Sequence, residues 1–157
     1  MCGFFGCFHY RNFPLTKESG IQAFESIKHR GPDAFGYKEI NFDNNTIKFF
    51  HHRLSILDLR EVAAQPFSSY NNRFLLIYNG EIYNHNKLRK LINTRLNINW
   101  RSNCDSETLV NIFHYTDVKE AIKMLEGMFS FSLYDREKNE LILARDRTGE
   151  KPLYICT

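Results

Sequence analysis

The second residue of the chain combines two groups that could catalyse the hydrolysis of an amide. Once Met1 is removed, Cys2 carries both a thiol and a free α-amine. An α-amine titrates near about 7.7–8.0 and a cysteine thiol near about 8.5, so the amine can act as a base near neutral pH. Nucleophile and base then lie on one residue, as in the N-terminal-threonine variant of nucleophilic catalysis. Taken alone, Cys2 also fits a purely structural role as a small residue in an apolar strand.

Hydrolysis of a small amide also requires donors for the developing oxyanion. Asn79 could supply a side-chain amide and Gly80 a backbone N–H, directly after the apolar run of residues 74–78. The alternative is a type I′ hairpin turn, which Asn-Gly favours because both central residues need a positive φ. An amino-acid substrate needs a cation for its carboxylate and an anion for its ammonium. Arg53 and Asp105 have the right charges, although each could equally be a surface or capping residue.

Other chemistries have less support in the sequence. The chain has six histidines, so a histidine base for some cysteine stays open, but none lies in a local nucleophile signature. On a strand, His51 and His52 would face opposite sides, which argues against a shared metal ion. We therefore expect no metal site.

Segregated strands and helices must position these groups. Periodicity and turn residues predict strands over residues 2–9, 35–40, 46–51 and 74–78, a hairpin from 129–133 and 140–145, and a final strand at 151–157. Helices are predicted from Ser19 until Gly31-Pro32, from Asn84, after Asp105-Ser106, and from Val118 until Gly127. Segregated elements favour an α+β fold with antiparallel sheets in one domain, residues 1–157.

Composition narrows the class of protein. The 157 residues are 43% hydrophobic and 25% charged, with a net charge of +3 from scattered basic residues, so no nucleic-acid partner is expected. No apolar run approaches the ~20 residues that span a bilayer, and no secretory signal begins the chain. Four cysteines without paired spacing favour a reduced, cytoplasmic protein that is not bound to a membrane.

Eight short blocks occur in order along the chain. They are Met-Cys-Gly-Phe-Phe-Gly at 1–6, His-Arg-Gly-Pro-Asp at 29–33, His-Arg-Leu-Ser-Ile-Leu-Asp at 52–58, Gln-Pro at 65–66, Asn-Gly-Glu-Ile-Tyr-Asn at 79–84, Asp-Ser-Glu-Thr-Leu at 105–109, Gly-Met-Phe-Ser-Phe-Ser-Leu-Tyr-Asp at 127–135 and Leu-Ala-Arg-Asp-Arg-Thr-Gly-Glu-Lys-Pro-Leu-Tyr at 143–154. Together they resemble the glutaminase domain of glutamine-dependent asparagine synthetases, a class II glutamine amidotransferase. The resemblance runs from the first residue to the last and is far more specific than any single motif.

The resemblance implies an N-terminal-nucleophile hydrolase fold, an αββα sandwich of two antiparallel sheets between helical layers. It also implies that Cys2 is the nucleophile and that Asn79 and Gly80 form the oxyanion hole. Arg53 would bind the α-carboxylate of L-glutamine, and Asp105 with Glu81 its α-amine. The backbone of Leu54, Ser55, Ile56 and Leu57 would shape the pocket.

The resemblance also implies an ammonia-accepting partner. The family continues into a synthetase domain that uses ATP and Mg, and neither its pyrophosphate loop nor a Walker A sequence is present here, so no cofactor is expected in this domain. The domain also usually runs further, so we expect a C-terminally truncated sheet, in a fragment or in one half of a split system. Aspartate, giving asparagine, is the expected acceptor; a sugar acceptor, or a silent glutamine-binding or partner-binding remnant, stays possible.

Overall fold

The computed structural model describes residues 2–10 and 17–156 and contains two antiparallel sheets. Sheet A has the strand order β1-β3-β2, formed by β1 (Gly3–Tyr10), β2 (Ala34–Phe42) and β3 (Asn45–Arg53). Sheet B has the order β4-β5-β6-β7, formed by β4 (Phe67–Ser68), β5 (Phe74–Ile82), β6 (Gly127–Asp135) and β7 (Glu140–Arg145). Strands that follow one another closely along the chain, β2 with β3 and β6 with β7, pair as hairpins.

In the described part of the chain, four α-helices cover the outer faces of the sheets: α1 (Lys17–Glu25), α2 (His85–Ile92), α3 (Asp105–Ile112) and α4 (Val118–Lys123). Helix α1 packs on sheet A through Phe24, whose ring contacts Phe50 and stacks on His52. Helices α2, α3 and α4 share a buried apolar cluster with β5 and β6. None of the helices in the described part of the chain is long and apolar enough to cross a membrane.

The inner faces of the two sheets pack against each other. Ile47 and Phe49 of β3 meet Leu75 and Ile77 of β5 in a buried cluster that Tyr134 of β6 completes. Alternate residues of each strand point to this inner core and to the helical layer, because side chains alternate across a strand. The expected αββα sandwich of two antiparallel sheets is confirmed.

Strand β5 is longer than the sequence indicated. The Asn79-Gly80 pair was expected to end a strand or form a turn, yet β5 continues to Ile82. Asn79 pairs with Ser130 and Gly80 with Phe129, so the turn interpretation is wrong. The Asn-Gly signal is local, whereas the conformation is decided by pairing with β6, which extends back to Gly127.

The predicted C-terminal strand is also wrong for residues 151–156, which contain no strand; Thr157 lies outside the described residues. Asp146 gives the physical reason. Its carboxylate accepts hydrogen bonds from the backbone N–H groups of Thr148, Glu150 and Lys151 at 2.9–3.1 Å, which folds residues 146–151 into a compact loop. Gly127 begins β6 instead of ending a helix, and α1 begins at Lys17, two residues before Ser19.

Candidate active site

Strand register brings Cys2 and Arg53 to the same place. Gly3 of β1 pairs with His52 of β3, so the register continued by one residue sets Cys2 opposite Arg53. Residues directly opposite in an antiparallel pair project to the same face of the sheet. The backbone N–H of Leu54 donates to the Cys2 sulfur at 3.3 Å, and Arg30 Nε donates to the Cys2 carbonyl at 3.2 Å. Cys2 is therefore held both at its sulfur and at its carbonyl.

The environment of Cys2 keeps its thiol protonated. Burial raises the pKa of the Cys2 thiol above its ordinary value, and the Leu54 N–H acts in the opposite direction without cancelling that effect. A thiol with a raised pKa needs a base to become a nucleophile. The α-amine that Met1 removal would expose on the same residue is such a base.

Arg53, the last residue of β3, is buried beside the loop that follows it. Its Nη1 donates to the Arg60 carbonyl at 3.0 Å and its Nη2 donates to the Asp58 carbonyl. A guanidinium carries five N–H donors, so these two bonds orient the planar group and leave others for a ligand.

The loop that holds Arg53 is itself fixed by Asp58. This buried carboxylate accepts hydrogen bonds from Arg60 Nη2 at 2.6 Å and from the backbone N–H of Asn103 at 3.0 Å. These contacts, the Arg60 guanidinium above all, hold the pKa of Asp58 well below its ordinary range. The bond to Asn103 ties the Arg53 loop to the segment that leads into α3, so the two charged candidates are positioned together.

The backbone of β5 presents an unpaired amide beside Asn79. The Tyr78 N–H donates to Gln65 Oε1 and the Ile82 N–H donates to Asp105 Oδ2, both on the edge of β5 away from β6. Backbone N–H groups alternate between the two edges of a strand, so the Gly80 N–H points to this same edge. Strand β4 pairs only with Leu75 and Leu76 and does not reach it.

Asn79 adds a second donor at this position. Its side chain is 6% exposed, and no other described residue hydrogen-bonds its amide group. Gly80 is required beside it, because a Cβ there would collide with the Met128 carbonyl and approach Phe129 Cα to 2.7 Å. A side-chain amide and an adjacent backbone N–H are the donor pair that an oxyanion hole needs.

Asp105 is the first residue of α3 and is 4% exposed. Its Oδ2 atom accepts hydrogen bonds from Tyr78 Oη at 2.7 Å and from the Ile82 N–H at 2.9 Å. Its position in the first turn of a helix also favours a negative charge. The carboxylate is thus held against β5 beside the Asn79-Gly80 pair.

The segment before α3 depends on a buried glutamate. Glu107 accepts hydrogen bonds from the backbone N–H groups of Arg101 at 3.0 Å and Ser102 at 2.8 Å. Arg89 of α2 donates to the carbonyls of Ser102 and Cys104, and its guanidinium lies over the Trp100 ring. This network sets the start of α3 and therefore the position of Asp105.

A cavity of about 100 Å³ joins these groups. It is lined by every residue predicted for the site except Ser55, namely Cys2, Arg53, Leu54, Ile56, Leu57, Asn79, Gly80, Glu81 and Asp105. The Ser55 N–H instead donates to Asp33 Oδ2 at 2.7 Å, and this hydrogen bond fixes the loop that follows Arg53. The cavity thus combines a thiol, an edge amide pair, a cation and two carboxylates.

Sequence reasoning missed several residues of the cavity wall. Tyr78, Gln65, Cys104 and Lys151 line it, as do Ala63, Ser106 and Met128. Lys151 is a buried cation. Gln65, Ser106, Met128 and Lys151 all lie in the eight sequence blocks, which was the available signal. Nothing in the local sequence marks Ala63, Tyr78 and Cys104, because only the folding of the chain brings them to the cavity.

The adjacent histidines lie on opposite faces of β3, as predicted. His51 Nε2 contacts the Tyr78 carbonyl at 3.0 Å between the sheets, whereas the His52 ring stacks on Phe24 under α1 at 3.9 Å. Burial lowers the pKa of His51 to about 4. Within residues 2–10 and 17–156, no cluster of three histidine, cysteine or carboxylate side chains could hold a metal ion.

Comparison with known proteins gives similarity over the whole chain. Residues 1–157 match a family described as a glutamine amidotransferase domain. The chain is 35% identical over 155 residues to asparagine synthetase [glutamine-hydrolyzing] 1 of Saccharomyces cerevisiae and 38% identical over 161 residues to asparagine synthetase [glutamine-hydrolyzing] 1 of Bacillus subtilis. It is 34% identical over 156 residues to asparagine synthetase B [glutamine-hydrolyzing] of Escherichia coli.

These matches cover 99%, 100% and 99% of the chain but only 26%, 24% and 27% of the three relatives. The chain therefore spans about a quarter of their length. Among solved structures, the glutamine phosphoribosylpyrophosphate amidotransferase from B. subtilis, complexed with ADP and GMP, has a similar fold, with a TM-score of 0.64 at 19% identity. That alignment covers 81% of this chain and 34% of the other.

Proposed function

The chain belongs to the glutamine amidotransferase domain family, and from this premise we propose that it hydrolyses L-glutamine to L-glutamate and ammonia through a thioester on Cys2. The observation that carries the proposal is the convergence on one cavity of Cys2, the Asn79-Gly80 donor pair, Arg53 and Asp105. Each could be explained separately by a structural role. Their presence in one small cavity matches the groups of a glutamine molecule.

The charged groups of the cavity suit the amino-acid end of the substrate. Arg53 binds the α-carboxylate, because a guanidinium already oriented by two carbonyls offers its remaining N–H groups. Asp105 binds the α-ammonium, together with the more exposed Glu81 at the cavity wall. The backbone of Leu54, Ile56 and Leu57 surrounds the carbon chain between them. The side-chain amide of glutamine then lies between Cys2 and the donor pair.

The reaction begins after Met1 has been removed. The α-amine of Cys2 takes the proton of its thiol, and the sulfur attacks the side-chain carbonyl carbon of glutamine. The negative charge that forms on the carbonyl oxygen is stabilised by the Asn79 amide and the Gly80 N–H. The α-ammonium returns the proton to the leaving nitrogen, and ammonia departs. Water then attacks the cysteinyl thioester, which releases glutamate and restores the thiol.

The ammonia acceptor is proposed from the relatives. They are named as glutamine-hydrolyzing asparagine synthetases, and we assign the ammonia to asparagine synthesis from aspartate by a synthetase domain or chain that uses ATP and Mg. A reduced cytoplasmic compartment suits the catalytic thiol. Amide-¹⁵N-glutamine given to the chain together with its synthetase, aspartate and ATP should yield ¹⁵N-asparagine. Transfer of the label to a sugar instead would identify a different acceptor.

The glutaminase step is tested on the 157-residue chain with Met1 removed, as verified by mass spectrometry. Glutamate release from L-glutamine should be lost in Cys2→Ser, because a hydroxyl needs a stronger base than a thiol. The glutamine analogue 6-diazo-5-oxonorleucine should label Cys2 alone. Matched variants of Cys7 and Cys156, changed to Ala, should keep both activity and labelling, because neither lines the cavity. Labelling of another cysteine with Cys2 untouched would defeat the proposal.

A further inference from the structure

The two oxygens of Asp105 have unequal surroundings. Oδ2 accepts a hydrogen bond from Tyr78 Oη at 2.7 Å and another from the Ile82 N–H at 2.9 Å. Within residues 2–10 and 17–156, Oδ1 has one partner, the Cys104 thiol at 3.6 Å, and that thiol also lies 2.9 Å from Ser106 Oγ. A thiol is a weak donor, so Oδ1 keeps most of its capacity to accept a bond. One oxygen is committed to the protein and the other is available in the cavity.

Tyr78 is itself held by burial and by several hydrogen bonds. It is 3% exposed, and its N–H donates to Gln65 Oε1 at 2.6 Å. Its carbonyl accepts from Gln65 Nε2 at 3.2 Å and contacts His51 Nε2 at 3.0 Å. Burial, with the negative charge of Asp105 beside it, raises the pKa of Tyr78 well above its ordinary value. The hydroxyl therefore keeps its proton near neutral pH and can donate it to Oδ2.

We propose that Tyr78 is a positioning residue that makes the site selective for ligands with an α-ammonium group. Its hydroxyl fixes Oδ2 of Asp105, which directs Oδ1 to the ammonium of the bound amino acid. The inference rests on the proposed function, since it assigns Asp105 to that ammonium. Tyr78 does not touch the reacting amide and acts only through Asp105.

The physical reason lies in the rotation of the carboxylate. The terminal torsion of an aspartate side chain is broad, so its two oxygens exchange places readily unless hydrogen bonds distinguish them. Without the hydroxyl, the Ile82 N–H is the one partner of Oδ2 that remains among the described residues, and the carboxylate can turn away from the ligand. The carbon chain and the carboxylate of the ligand would still bind, because Arg53 is held by the carbonyls of Asp58 and Arg60 and not by the Tyr78 hydroxyl.

Tyr78→Phe tests the proposal, because it removes one oxygen atom and leaves the ring in place. We expect the KM for glutamine to rise about tenfold, the scale of one lost hydrogen bond to a charged group, with kcat changed less than about threefold. The inhibition constant of L-glutamate should rise by a similar factor. The inhibition constant of glutarate, which has the same carbon chain without the ammonium, should stay within about twofold. The KM and the two inhibition constants are independent of the folded fraction, whereas kcat is not.

Tyr134→Phe is the matched control. Tyr134 is also a buried tyrosine, and its hydroxyl donates to Asn139 Oδ1 at 2.9 Å, but it lies in the core between the sheets and does not line the cavity. It should lose stability without any change in the ratio of the glutamate and glutarate constants. An unchanged ratio in Tyr78→Phe, or failure of that variant to fold while Tyr134→Phe folds, would overturn the proposal. An unmutated chain that does not hydrolyse glutamine would refute the proposed function instead.

Discussion

At the scale of single residues, Asn79 offers the sharpest test of catalysis as distinct from binding. Asn79 lines the cavity, and its amide group has no other partner in the described part of the chain. Because it would donate to the oxygen mainly as negative charge develops, Asn79→Ala should lower kcat by about 10²–10³ with little change in KM. Steady-state kinetics on glutamine measure both values.

The control for Asn79→Ala is Ser132→Ala, which removes a buried polar group from the neighbouring strand β6 away from the cavity. It should keep kcat near that of the unmutated chain. A drop in Tm for Asn79→Ala with kcat preserved would mean that Asn79 serves β5 rather than the reaction.

For Asp105, the corresponding prediction concerns the binding of glutamine. In Asp105→Ala the ammonium of glutamine would enter a desolvated cavity without its anion, and loss of one partner from such a pair costs about 2–5 kcal/mol. We expect kcat/KM for glutamine to fall more than about tenfold, chiefly through KM. Glutamate release at varied glutamine concentration gives the result. Normal kinetics would show that the ammonium binds elsewhere, with Glu81 as the next candidate.

At the scale of the elements, β5 and β6 approach each other so closely at Gly80 that no side chain fits. A Cβ there would meet the Met128 carbonyl, so Gly80→Ala should push the two strands apart and displace the Gly80 N–H from the cavity. We expect a loss of stability of about 1–3 kcal/mol together with loss of turnover. Thermal unfolding and glutaminase kinetics check both.

Gly6→Ala is the comparison for Gly80→Ala, because the atoms nearest to an added Cβ at Gly6 belong to the Phe49 and Ile77 side chains, at 3.3–3.5 Å, and not to the backbone. It should cost less stability and keep turnover. Full activity in Gly80→Ala would exclude the Gly80 N–H from the oxyanion hole.

The elements also show how far sequence could predict this structure. The hairpin of β6 and β7 was predicted well, since the alternation over residues 129–133 and the turn residues before Glu140 are local signals. The end of β5 was missed, because Asn79-Gly80 has the local signal of a turn and only the pairing with β6 overrides it. Lys151 was placed in a strand, although Asp146, five residues earlier, folds that segment into a loop.

The residues of the candidate site also divide into those that the sequence could predict and those that it could not. Cys2, Arg53, Asn79 and Asp105 could be named from the family blocks, and the structure brings all four to one cavity. Tyr78 could not, because a tyrosine in an apolar run indicates only a core residue. Its hydroxyl bond to Asp105 spans 27 positions of the sequence and depends on how α3 packs on β5.

At the scale of the whole molecule, a histidine buried between the sheets makes stability depend on pH. Burial lowers the pKa of His51 to about 4 from an ordinary value of 6.5. Between these values the unfolded chain binds a proton that the folded chain does not, so stability is lost as the pH falls from about 6.5 to 4. His51 changes the free energy of unfolding by at most about 1.4 kcal/mol per pH unit in this range.

Denaturant unfolding at a series of pH values measures this effect. His51→Gln removes the titration while offering an amide to the Tyr78 carbonyl, so its unfolding free energy should depend less steeply on pH in this window. His29→Gln changes an exposed histidine and should keep the slope of the unmutated chain. Equal slopes in all three proteins would contradict the prediction.

Because β4 is short, part of the β5 edge is not covered by a strand and could pair with another chain. A sheet edge with free N–H and C=O groups is a template for pairing with another chain, and natural proteins protect such edges. Beyond β4, the edge of β5 is occupied by side chains, with Gln65 on the Tyr78 peptide and Asp105 on the Ile82 N–H. Of the N–H groups of residues 78, 80 and 82 on this edge, that of Gly80 has no partner in the described part of the chain. An extended peptide at this edge could hydrogen-bond to Gly80 but would find the N–H groups of Tyr78 and Ile82 already bonded. The edge that admits a substrate amide should therefore resist the strand addition that leads to aggregation.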